Sequence, residues 1–224
     1  MTCIGVVIPV HDEESLLGRC LTALARARAV VGVPVHTVVV LDSCTDASAD
    51  IARAAAGTDL RVIEARNVGA ARAAGVAALL DLGATWIAST DADSAVGSGW
   101  LGAHLAYAGR GYDAVAGTVL IDDWRPHPAA RRRAYHQGYD YRWGHRHVHG
   151  ANLGVSGSAY RAVGGFPALP TGEDVALVAA LAAGGYRIAW ASDLPVRTSG
   201  RLHARAPMGM SSHLRGLGTD ACAG

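Results

Sequence analysis

In its first hundred residues the chain repeatedly runs from a short apolar, β-branched stretch into polar residues and then into a segment of helical spacing. Ile4–Val10 reads as a buried strand, and 14–29 carries Leu16, Leu17, Cys20, Leu21 and Leu24 at helical intervals. Residues 37–41 form the next strand, 47–56 a helix behind Asp46 as N-cap, 60–63 a third strand, and 69–82 an alanine-rich helix stopped by Gly83. Trp86–Ser89 is a fourth strand. Strands and helices alternating in this way imply an α/β fold with a mostly parallel, Rossmann-like sheet covered on both faces. The second half is less regular. It offers a strand at 114–120, a helix at 128–141, a Gly- and Ser-rich stretch at 150–165, a helix over Glu173–Ala183, and short strands at 188–191 and 196–198. A polar, Gly-rich tail follows from 201.

At 224 residues, half of them hydrophobic and 17% charged, the chain is expected to bury one sizeable core rather than stay disordered. A net charge of +1 provides no bulk field for nucleic acid or an anionic membrane. Cys3, Cys20, Cys44 and Cys222 show neither CxxC nor zinc spacing, and read as reduced thiols. No apolar run reaches transmembrane length and no signal peptide is evident, so the expected location is the cytosol, with a peripheral position at the inner face of the membrane left open. Self-association is also left open.

In open α/β sheets ligands bind beyond the carboxyl ends of the strands. The polar residues there are His11 to Glu14, Asp42-Ser43, Arg66-Asn67 and Asp91-Ala92-Asp93. An edge this acidic repels a bare diphosphate unless a divalent cation intervenes. Asp91 and Asp93, one residue apart after a buried strand, can aim at one hard cation, Mg²⁺ or Mn²⁺. Alone, Asp-x-Asp is more often a solvated turn with a helix cap.

The segments Val6 to Glu14, Leu41 to Asp46, Asn67 to Arg72, Asp91 to Asp93, Gly150 to Gly154 with Gly164 to Phe166, and Gly172 to Leu177 resemble, in order, those of family 2 glycosyltransferases, which have the GT-A fold. The resemblance implies transfer of a sugar, a hexose by expectation, from a UDP- or GDP-sugar to an acceptor hydroxyl. It implies a single GT-A domain over 1–224, with a nucleotide-binding half at 1–100, an acceptor half at 101–200 and a tail at 201–224. Pro9, Val10, Glu13, Glu14, Asp42, Arg72 and Asp91 would hold the nucleotide, Asp42 by accepting hydrogen bonds from the base. Asp91 and Asp93 would hold the metal, with His203 as a further ligand. Arg201 and Arg205 would alternatively touch the diphosphate, and a solvated tail is the competing account of all three. Glu13 and Glu14 are equally readable as helix-start acids.

Asp174 is assigned as general base for an inverting displacement, removing the acceptor proton opposite the leaving diphosphate. The competing reading makes Thr171 and Asp174 a capping box, with Glu173 a first-turn acid. The acceptor side would include Trp143, His149, Asn152 and Glu173. The stretch 135–149 holds Tyr135, Tyr139, Tyr141, Trp143 and four histidines; an aromatic acceptor-binding segment, a weak zinc site and a surface helix with its loop are all open. Arg131 to Arg133 could meet an acidic acceptor or a membrane, or be a solvated basic turn. The Gln-x-x-Arg-Trp element of processive relatives is absent after Asp174, so one sugar per acceptor is expected. A nucleotidyltransferase would carry a Gly-rich loop where this chain has His11-Asp12-Glu13-Glu14, a dinucleotide-binding fold would carry GxGxxG, and a non-catalytic binding module would not need Asp91, Asp93 and Asp174 together.

Overall fold

The side-chain alternation of the first strand sets the layers. In β1 (Ile4–Val10), Ile4, Val6, Ile8 and Val10 face one apolar layer and Val7 the other. The computed structural model describes residues 2–202 and 210–217. The first layer packs α1 (Leu17–Val30), α2 (Ser48–Ala54) and α4 (Trp100–Gly109) through Leu17, Leu21, Ala52, Trp100 and Leu101. The second packs α3 (Val68–Asp81), α6 (Gly157–Ala162) and α7 (Glu173–Ala183) through Val76, Leu79, Ala159, Leu177 and Leu181.

Between them lies one eight-stranded sheet, ordered β3-β2-β1-β4-β7-β6-β8-β5. The remaining strands are β2 (Val35–Asp42), β3 (Asp59–Ile63), β4 (Trp86–Ser89), β5 (Ser94–Ala95), β6 (Ala114–Ile121), β7 (Leu153–Ser156) and β8 (Ile188–Thr198). β3, β2, β1 and β4 run parallel, as do β6 and β8, while β7 and β5 are antiparallel to their neighbours. The order reverses at β1, so β2 lies on one side of it and β4 on the other, which opens a crevice at their carboxyl ends. β4 and β5 are consecutive in the chain yet have three strands, β7, β6 and β8, between them in the sheet. In a flat sheet they would stand about 19 Å apart, and the five steps from Ser89 to Ser94 reach at most about 17 Å. The sheet therefore curls, bringing Asp93 beside the end of β8.

The expectations for β1, β4 and α7 match residue for residue. The two short strands read at 188–191 and 196–198 are one strand, β8, crossing an irregular register opposite Gly117 and Val119. The helix expected over 128–141 is the shorter α5 (Ala129–Gly138). Within 150–165 the structure forms a turn of 3₁₀ helix, β7 and α6. A short helix, α8 (Met210–Gly216), packs Leu214 against Tyr135 and Tyr139.

Helix α4 buries His104 completely, edge-on to Trp100 at 4.6 Å, with no hydrogen-bond partner on either ring nitrogen. Burial holds its pKa at about 3, against 6.5 for an exposed histidine. The folded state thus refuses a proton that the unfolded chain accepts below pH 6.5. Stability from this group is complete above that pH and declines as pH falls toward 3. The expected loss between pH 7.5 and 5.5 is about 1.4 kcal/mol. Urea unfolding at the two pH values, compared with His104→Leu, checks this; an equal acid loss in the variant would contradict it.

Candidate active site

Three loops at the carboxyl edge of the sheet turn sharply, and each does so on a non-glycine residue in the left-handed region: Asp12 after β1, Ser43 after β2 and Arg66 after β3. Such backbone costs of order 1–3 kcal/mol per residue and persists where surrounding contacts enforce it. Here the enforcing contacts are carboxylates. Asp42 Oδ1 accepts the backbone N–H of Ala65 and Arg66 at 2.8 Å each and the Ser43 hydroxyl at 3.0 Å, while Oδ2 accepts Asn67 N–H at 2.7 Å. Burial raises the Asp42 carboxyl, but the donors of Asn67, Ala65 and Arg66 outweigh it and leave the group below the usual carboxylate range. Asp12 likewise accepts Thr45 N–H at 2.7 Å, and Glu14 accepts Ala47 N–H at 3.0 Å. Asp12, Cys44 and Asp46 bring ligand-type atoms within 4.8 Å of one another. Both Asp46 oxygens already accept backbone N–H groups, from Ser48 and Glu14 at 2.9 Å, so this trio clips the loop after β1 to that after β2.

Inside these loops lies a cavity of about 970 Å³. Pro9, Val10, Glu13, Asp42, Arg72, Asp91, Asp93, Glu173 and Asp174 all line it, although they come from positions spread between 9 and 174. Arg72 organises the floor. It is 3% exposed, and its guanidinium is shared between Asp91 and Glu173 while Nε donates to Ser89 Oγ at 3.0 Å. Gly150 permits this, because a Cβ there would stand 2.4 Å from an Arg72 terminal nitrogen. Burial pushes the Asp91 carboxyl up against the pull of Arg72, and the carboxylates of Asp93, Glu173 and Asp174 push the same way. Glu173 is raised by burial, again opposed by Arg72. Asp93 accepts the hydroxyls of Ser94 at 3.1 Å and Thr198 at 3.3 Å. Arg201, past the end of β8, reaches back to Asp93 at 3.1 Å and Glu13 at 2.7 Å.

The capping box of the competing reading does not form at α7. The cap position belongs to Gly172 with φ of 77°, and no side chain caps the helix. Asp174 instead accepts Gly150 N–H at 2.6 Å and its neighbour Val175 N–H at 2.8 Å, which holds the carboxylate at the cavity wall. One oxygen faces each donor, and a carboxylate oxygen has capacity to accept a second hydrogen bond.

Three expected site residues are placed otherwise. Asn152 is fully buried and structural: it donates to Thr118 O and Leu194 O at 2.8 Å each and accepts Trp100 Nε1–H at 2.9 Å. Trp143 is half exposed, lies outside the cavity and stacks on Tyr107 at 5.8 Å. Glu14 serves the loop clip and does not line the cavity. His149 does line it, its Nε2 hydrogen-bonded with Tyr139 OH at 2.8 Å. The 135–149 stretch is a self-stacked ladder. Tyr139 stacks on Tyr135 at 5.1 Å and on His147 at 4.0 Å, so its aromatic surface is engaged by the chain's own rings. No zinc-type cluster of histidines occurs among the described residues. His203 lies outside the described residues. Arg201 and Glu13 emerge as partners that no local motif signals, since they are 188 positions apart.

The model of "Glycosyl transferase family 2" matches residues 5–162. The chain belongs to this family. Among solved structures, the fold is similar to that of S. aureus TarS in complex with UDP-GlcNAc, with TM-score 0.67 and 17% identity over 92% of this chain and 60% of that one. A mannosyltransferase, PcManGT from Pyrobaculum calidifontis, in complex with GDP-Man and Mn²⁺, matches with TM-score 0.68 and 19% identity over 90% and 58%. A longer TarS structure matches with TM-score 0.65 over 96% of this chain and 41% of that one. The family 2 chain therefore spans about three-fifths of the first two structures and less of the third. No curated protein sequence matches it significantly. Within the family 2 frame, the Asp91-Ala92-Asp93 turn and the Asp174 wall face one common cavity.

Proposed function

We propose that the chain transfers a sugar from a nucleoside diphosphate sugar to an acceptor hydroxyl, with inversion and with Mn²⁺ or Mg²⁺ as cofactor. One observation carries the reading: among the described residues, six carboxylates converge on the cavity and three guanidiniums, those of Arg66, Arg72 and Arg201, accompany them. A diphosphate entering that excess of negative charge needs a cation. The residues present suit one. Asp91 and Asp93 offer hard oxygen donors, and Asp91 Oδ2 has no hydrogen bond among the described residues. The bound cation would neutralise charge developing on the departing diphosphate.

The chain's own groups supply the rest. Pro9, Val10, Glu13 and Asp42 form the wall for the nucleoside, with Asp42 pinned by its backbone donors. Arg72 holds Asp91 in place and, through Glu173, fixes the first turn of α7. Asp174, oriented by Gly150 N–H, accepts the acceptor proton. Donors of the UDP and GDP classes are both in keeping with the relatives, and a hexose with their sugars. No described helix is long and apolar enough to cross a membrane. The acceptor would enter from the His149 side, and one sugar is added per encounter.

A thermal-shift panel of UDP-, GDP- and TDP-sugars, each with and without Mn²⁺, tests the reading. One donor class should raise Tm, and only with the cation; binding at 100 times Kd adds about 2.7 kcal/mol of stability. Equal shifts in EDTA, or none with any donor, would count against it.

A further inference from the structure

Arg201 sits where the proposed cofactor would have to go. Its two terminal nitrogens divide between Glu13, at 2.7 Å, and Asp93 Oδ2, at 3.1 Å. The side chain is only one-quarter exposed, and Glu13 is 7% exposed. Asp93's other oxygen is occupied by the hydroxyls of Ser94 and Thr198. Both Asp93 oxygens are therefore engaged, and the negative charge of this proposed cation ligand is already neutralised by a guanidinium belonging to the chain.

Resting on the transferase reading, we propose that Arg201 is an internal counter-cation of Asp93 which a divalent cation must displace, and that the displaced guanidinium then pairs with the donor diphosphate. Two physical points support this. A guanidinium and a divalent cation compete for the same carboxylate oxygen, since both need its lone pairs at close range. A guanidinium also forms paired, charge-assisted hydrogen bonds with phosphate as readily as with carboxylate. Without a diphosphate, cation entry leaves Arg201 with Glu13 alone. With a diphosphate present, the guanidinium exchanges one anion for another. Cation and nucleotide affinities must then be coupled, each raising the other by the same factor. The position of Arg201 suits the exchange. It lies three residues past the end of β8, its backbone N–H held by Ser199 Oγ at 3.2 Å, so the side chain can swing without disturbing the sheet.

The test is a titration with Mn²⁺ alone, and with Mn²⁺ in the presence of saturating UDP or GDP, read by calorimetry or by the electron paramagnetic resonance of free Mn²⁺. No turnover is needed. In the wild-type chain Mn²⁺ alone should bind at least tenfold more weakly than Mn²⁺ with the nucleotide. Arg201→Gln should bind Mn²⁺ alone about tenfold more tightly than the wild type, and lose most of the coupling. Arg201→Lys, which keeps the positive charge but lacks the planar fork of paired donors, should fall between the two. Arg197→Gln, an exposed neighbour outside the cavity, should match the wild type. Unchanged Mn²⁺ affinity in folded Arg201→Gln and Arg201→Lys, with nucleotide binding intact in the wild type, would overturn the displacement. Absence of nucleotide binding in the wild-type chain itself would overturn the transferase reading instead.

Discussion

Arg72→Met is expected to destabilise the fold by about 3–5 kcal/mol, the range for removing one member of a buried ion pair. Arg72 is 3% exposed and Glu173 is equally buried, so the substitution strands a carboxylate that water cannot reach. It also frees Asp91 from its guanidinium partner and Ser89 from its donor. The pH dependence follows from direction alone. Glu173 is raised by burial, opposed by Arg72. Losing Arg72 raises it further. A carboxyl whose folded pKa exceeds its unfolded value binds a proton more tightly when folded, so stability is regained as pH falls through the folded pKa. The deficit of Arg72→Met should therefore shrink between pH 8 and pH 5. Adding Glu173→Gln should recover a large part of it at pH 8, because removing both charges costs far less than removing one. Denaturant unfolding of the two variants measures this. A loss under about 1 kcal/mol in Arg72→Met, or no recovery in the double variant, would show that the pair carries little.

Asp174→Asn is expected to lower kcat by about 10²–10⁴, the range for a positioned general base. The amide oxygen can still accept Gly150 N–H, so stability should change little and the loop over Arg72 should hold its place. Donor affinity, measured by calorimetry, should stay within about threefold of the wild type, because the base meets the acceptor. Had Asp174 completed a capping box with Thr171, the same variant would chiefly affect stability. The left-handed Gly172 at the cap position removes that alternative. A variant with full turnover would refute the assignment.

The first half of the fold was legible because its signals are local. A β-branched run such as Ile4–Val10 is buried on both faces and has no other comfortable state, and Asn67 caps α3 by accepting Ala70 N–H at 2.9 Å. The second half hid its elements for physical reasons. Helix α4 is apolar nearly all round, burying Trp100, Leu101, His104 and Tyr107, so it shows no amphipathic stripe. β7 and α6 lie in a glycine-rich stretch whose glycines answer to close approach. A Cβ at Gly154 would meet His104 at 2.4 Å, so this glycine marks a buried strand rather than a loop. Asp193-Leu194-Pro195 looked like a break between two strands, but β8 continues through it by shifting register against β6.

The site was legible to the same depth. The edge acids fell into place because strand ends can be read, and Asp42, Asp91, Asp93 and Asp174 do share one cavity. Their partners could not be read. The buried bridge from Arg72 to Glu173 spans 101 positions and that from Arg201 to Glu13 spans 188. Asn152 misled in the other direction, because a polar residue beside glycines resembles a site until its three buried hydrogen bonds are seen.

On the proposed function, the carboxylate-lined cleft should admit a diphosphate only with a cation. The most direct measurement is a calorimetric titration of UDP and of GDP into the chain, in Mn²⁺ and again in EDTA, with Asp93→Asn alongside. One nucleotide should bind in Mn²⁺, lose at least tenfold in affinity in EDTA, and lose as much in the variant with Mn²⁺ present. Equal affinity under all three conditions would contradict the claim.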